Sequence, residues 1–125
     1  MYKPYFENAP FNMLAYTLVR NQKQLNKVLK NSNYKAVFNE LGASAQVTSF
    51  LDDTGKDYLV VQLGNTTGKD LLEVFALLVH ESVHIWQEIT ERMREHYPSK
   101  EFEAYSIQLI ALNLFQMYQQ SEESS

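Results

Sequence analysis

Two histidines four residues apart, His80 and His84, enclose a glutamate in the segment Leu78-Val79-His80-Glu81-Ser82-Val83-His84-Ile85-Trp86. Side chains four apart on a helix stand one above the other, so both imidazoles can converge on one ion. Glu81 sits beside them, where it can reach a metal-bound water without ligating the metal. This is the HExxH spacing, and zinc hydrolysis needs it because two ligands and a general base share one rigid element. Two of the chain's three histidines are used in it, and the chain has no cysteine. Disulfides, thiolate metal sites, iron–sulfur clusters and thiol nucleophiles therefore drop out together. Any metal must be held by His, Asp and Glu.

The context of the motif supports a built site. Wrapped at about 100° per residue, Leu71, Leu72, Val74, Phe75, Leu78, Val79, Val83, Ile85, Trp86, Ile89 and Met93 fill a wide apolar arc. His80 and His84 fall on the opposite side, with Glu73, Gln87, Glu88 and Glu91 around them. A core histidine bonded to a carbonyl would lie inside the arc. A catalytic zinc normally takes a third protein ligand, with water in the fourth place. The remaining histidine, His96, lies in no HxxxxxH-type pattern, so carboxylates are the candidates. The segment Ser99-Lys100-Glu101-Phe102-Glu103-Ala104-Tyr105 opens a second helix, and the helix dipole favours ionised acids in its first turn. Ala104 would allow close helix approach. Periodicity does not choose between Glu101 and Glu103, because Phe102 to Tyr118 is apolar almost all round. Tyr105, His96 and Tyr97 are candidate oxyanion donors by position.

HExxH followed by a helix carrying E-[FY]-x-A resembles the gluzincin arrangement of the prenyl-protein (CAAX) endopeptidases and of small repressor-cleaving-type proteins. Closer still, Leu77-Leu78-Val79-His80-Glu81-Ser82-Val83-His84-Ile85-Trp86-Gln87 and Glu101-Phe102-Glu103-Ala104-Tyr105-Ser106-Ile107-Gln108 resemble phage-encoded zinc metallopeptidases with LLVHEAVHVWQ and EFEAYxIQ. The resemblance implies a minimal zincin-like fold with one Zn2+. It also makes Glu101, three residues before Ala104, the third ligand. Tyr105 stands where such families usually carry an Asp that orients a zinc-ligating histidine.

The elements that must position these residues read as follows. Phe11 to Arg20 is rich in aromatic and β-branched residues and predicts a strand. Asn21 with Gln24 forms a capping-box pattern before a short amphipathic helix over QKQLNKVLK. Tyr34 to Ser44 has no clear period. Ala45–Leu51 and Asp57–Leu63 predict a hairpin around Asp52-Asp53-Thr54-Gly55-Lys56, with Gly55 free to take positive φ. Thr67 with Asp70 supplies an N-cap signature for a helix from about Asp70 to Arg94. Pro98 breaks it, and Ser99 caps a last helix from Lys100 to about Gln119. The expected fold is α+β, a small antiparallel sheet of strand, helix and β-hairpin packed on the HExxH helix and a long C-terminal helix. Residues 1–120 form a single zincin-like domain, and 121–125 read as a disordered acidic tail.

At 125 residues, 45% apolar and 13% aromatic, the chain can bury one modest core. A net charge of −4 is the wrong sign for a nucleic-acid partner. The longest apolar run, Leu71 to Val79, is broken by Glu73 and falls far below the roughly 20 residues that span a bilayer. No membrane partner and a cytoplasmic location are expected. Gly64, Gly68 and Lys69 lie where a P-loop would, but three residues separate the glycines where four are needed, and Asp70 replaces the magnesium-binding hydroxyl. Two functions remain in view. One is peptide hydrolysis, with Glu81 as base and Tyr58–Leu63 as the strand that pairs with a peptide substrate. The other is a metal-binding module that has lost catalysis and binds a target protein. The apolar last helix suggests a homodimer or a partner protein in either case.

Overall fold

The chain is described here by a computed structural model that covers residues 1–39 and 42–123. Its elements in order are β1 (Glu7–Asn8), a 3-10 turn (Pro10–Asn12), β2 (Ala15–Val19), α1 (Gln22–Leu29), β3 (Ala45–Leu51), β4 (Asp57–Leu63), α2 (Leu71–Met93) and α3 (Lys100–Glu123). The fold is α+β, with a four-stranded sheet in the order β1-β2-β4-β3.

The sheet is mixed, not antiparallel. β2 and β4 pair in parallel, while β1–β2 and β3–β4 are antiparallel. The connection from β2 through α1 and on to β3 is long enough for a crossover, so β4 returns beside β2 in the same direction. This places β4 in the centre, paired on both sides, and leaves β3 as a sheet edge. Central placement explains why YLVVQL is apolar on both faces.

Alternation along the strands splits the core in two. Tyr16, Leu18, Leu59, Val61 and Leu63 face α2 and α3, where Leu78, Ile85, Ile89, Ile110, Leu114 and Met117 complete the larger cluster. Val19, Val60 and Phe50 face the other way and are covered by Leu25 and Leu29 of α1. Each fully buried side chain of this kind stabilises the fold by roughly 1.5–3 kcal/mol. Phe75 stacks on Phe115 at 4.5 Å and Trp86 meets Phe102 edge-on at 5.6 Å. These pairs run in opposite order along the two helices, so α2 and α3 form an antiparallel hairpin.

Local signals hold with some shifts. Asn21 caps α1 by accepting the Gln24 amide, as the capping box requires, but Gln24 reaches back to the Arg20 amide instead of Asn21. Ser99 Oγ accepts the Phe102 amide at the start of α3. The cap of α2 is Asp70, which accepts the Leu72 amide. Thr67 lies outside the helix, because Asn65 binds its amide in a turn that Gly68 closes at φ +82°. The strand expected from Phe11 begins only at Ala15, since Phe11 and Asn12 turn the chain at φ 60° and 55°.

Residues 121–123 continue α3 where a disordered tail was expected, and Ser124 and Ser125 lie outside the described residues. Arg20 rises from the end of β2 and donates to Ser121 Oγ, Glu122, Thr66 and the Leu63 and Gly64 carbonyls, which pins the last turn. No helix among the described residues is long and apolar enough to cross a membrane.

Candidate metal centre

The apolar arc expected on α2 is wider than the buried one. Val74, Leu78, Ile85, Trp86 and Ile89 are buried, whereas Leu71, Leu72 and Val79 are exposed. His80 and His84 stand on the face away from the core and are exposed, as their spacing demanded. Their Nε2 atoms approach to 3.1 Å. Glu81 lies one residue round the helix toward the core and is only 4% exposed. Burial pushes its carboxyl above the ordinary carboxylate range, an effect the charges of His80 and His84 oppose.

A groove runs between this face of α2 and the edge strand β3. Two cavities of about 490 Å³ each make it up, and Ala45, His80 and Glu81 line both. Toward the start of α2 the walls are Ser44, Lys69, Glu73, Ala76 and Leu77. Toward its end they are Gln46, Val47, Ser49, Leu59, His84, Gln87, Glu88 and Glu91. Glu81 therefore sits at the junction, beneath an unpaired strand edge. Arg92 binds Glu88 at 2.7 Å and also Asp57 at the start of β4, which ties the floor of the groove to the hairpin.

The histidine pair fits a zinc-type ion. Two nitrogens each about 2.05 Å from one ion and 3.1 Å apart subtend about 100° there, close to tetrahedral. Imidazole donors also suit such a borderline metal. The carboxylate expected on α3 is not beside them. Among the described residues no group of three or more His, Cys, Asp or Glu converges on a metal-holding point. Glu103 accepts the Trp86 Nε1–H at 2.9 Å, on the flank of α2 that faces α3. Glu101 is exposed in the first turn of α3, and Ala104 is exposed rather than pressed against α2. Tyr105 is 67% exposed and Tyr97 94% exposed, and neither they nor His96 line the groove.

One contact was not foreseen. His84 Nδ1 lies within hydrogen-bond distance of Gln87 Oε1, at 3.0 Å. The i,i+3 spacing of His84 and Gln87 was its signal in the sequence. The strand expected to receive a peptide, Tyr58–Leu63, is β4 and has no free edge, because β2 and β3 occupy both its sides. The edge that faces the groove belongs to β3.

No family model matches the chain, and neither a curated protein nor a solved structure matches it.

Proposed function

We propose that this protein is a zinc-dependent metallopeptidase in which His80 and His84 hold the ion and Glu81 is the general base. The observation that carries the reading is the 3.1 Å approach of the two imidazole Nε2 atoms, with buried Glu81 beside them at the centre of a groove. A bound zinc ion would supply Lewis-acid activation of water and of the scissile carbonyl. Glu81 takes a proton on its carboxylate from the attacking water and passes it to the leaving amine. β3 offers its free edge to an extended peptide, whose backbone would pair with Ala45–Leu51 and lie across Glu81.

The test joins metal content to turnover. Mass spectrometry of protein purified without added zinc should find one ion per chain, lost in His84→Ala. Glu81→Gln should keep the ion and lose cleavage of peptide pools by about 10²–10⁴-fold, the contribution typical of a general base. Full activity of Glu81→Gln refutes the mechanism.

One observation favours a second reading, a metal-binding module without catalysis that docks a target protein. The third ligand is missing from the described set. The exposed apolar residues Tyr105, Leu109 and Leu112 on one face of α3 give such a module a surface for a partner or a second copy. Zinc bound by the unmutated chain with no cleavage of broad peptide pools favours this reading.

A further inference from the structure

We infer that Gln87 is a positioning residue that presets His84 as an Nε2 ligand, an inference that rests on the metal reading above. The amide oxygen Oε1 of Gln87 can only accept a hydrogen bond, so the ring nitrogen 3.0 Å from it, His84 Nδ1, carries the proton. In the neutral ring Nε2 then carries the lone pair. That nitrogen is the one turned toward His80, at 3.1 Å. The tautomer a metal needs is thus selected before any metal arrives, by a residue on the next turn of the same helix.

His80 differs. Its Nδ1 has no comparable partner among the described residues. With His84 Nε2 as acceptor, the short contact between the rings requires His80 Nε2–H to donate. His80 can join an ion only after one proton leaves Nε2, with Nδ1 taking up a proton from solvent. The two ligands are therefore unequal, His84 fixed in advance and His80 joining by tautomer exchange. The orienting acceptor lies on the HExxH helix itself, three residues beyond the second histidine.

The experiment uses the whole chain labelled with ¹⁵N-histidine, read by long-range ¹H–¹⁵N correlation in the metal-free protein. Zinc affinity is measured alongside by competition with a chromophoric chelator. Gln87 is exposed, so its variants retain the fold. Metal-free wild type should show His84 with Nδ1 protonated. Gln87→Leu should move the proton to Nε2 and weaken zinc binding about 10- to 100-fold, the range for lost orienting partners. Gln87→Glu, which restores an acceptor at the same reach, should recover both. A contact that only decorated the helix surface would leave zinc affinity unchanged in Gln87→Leu, and that result overturns the inference. So does a His84 tautomer that ignores the substitution. Failure of the wild type to take up zinc overturns the metal reading instead, and the tautomer readout alone then decides the Gln87 contact.

Discussion

Glu103→Ala separates the two jobs a carboxylate could have at the start of α3. In the structure its Oε2 accepts the Trp86 Nε1–H at 2.9 Å, and Trp86 is 3% exposed. Truncation leaves a buried indole donor without an acceptor. A bond to a charged acceptor contributes about 1.5–3 kcal/mol, and an orphaned buried donor costs about 1–3 kcal/mol. Glu103 is itself exposed, so the lower end applies and the loss should be about 1.5 kcal/mol. For a chain of 125 residues that corresponds to a fall in Tm of about 4–6 °C. Trp86→Phe removes the same bond and keeps a ring against Phe102. The pair Trp86→Phe and Glu103→Ala should therefore couple by about 1 kcal/mol in a double-mutant cycle. Urea unfolding followed by circular dichroism is the assay, since the only tryptophan of the chain is being replaced. Zinc affinity of Glu103→Ala should equal that of the wild type. An unchanged urea midpoint together with lost zinc would refute the reasoning and make Glu103 a ligand. Glu101→Ala, measured in the same way, tests the ligand implied by the family resemblance without touching Trp86.

The remaining predictions concern the hairpin latch and the sheet core. Arg92→Met frees Asp57 and Glu88 together and should cost about 1–2 kcal/mol, because both partners are partly exposed. The urea midpoint reads the loss, and added salt should narrow the gap between variant and wild type. Tyr16 is 1% exposed, and burial first, with Glu7 adding and the Asn113 bond opposing, pushes its phenol up to about 12. The fold keeps this phenol neutral while the unfolded chain ionises it near 10. Its stabilisation is therefore complete below pH 10 and lost as pH rises toward 12, to a total of about 2–3 kcal/mol. Urea midpoints across that range should fall less steeply in Tyr16→Phe than in the wild type.

Elements with strong local grammar were legible in the residues. The hairpin Ala45–Leu51 and Asp57–Leu63 stands where turn chemistry put it, with Gly55 at φ +85°. Helix α2 starts and ends within a residue of its expected bounds. What local pattern cannot carry is pairing between distant segments. The parallel register of Ala15 with Tyr58 depends on a crossover that no window of residues records, and β1 is only two residues long. The same limit applies at the site. His80, Glu81 and His84 share one helix, so spacing alone set their geometry. Glu101 and Glu103 come from another helix, whose rotation depends on Trp86 packing against Phe102 and Phe75 against Phe115. The acidic end of the chain read as tail because its polar residues had no visible partner. Arg20, about a hundred positions earlier, supplies one.

The bare edge of β3 has a further consequence, for how the protein behaves when concentrated. AQVTSFL has high β propensity and no charge, proline or glycine, and one of its sides is unpaired. Sheets usually guard such an edge with a lysine, a proline or a bulge, and this strand has none of them. The guard is supplied from the opposite wall, where Glu73 and Glu91 are exposed along the groove in a chain of net charge −4. Two copies that approach edge to edge bring these acids together. Their repulsion keeps the strand open and the chains apart at low ionic strength, and screening by salt brings self-association closer.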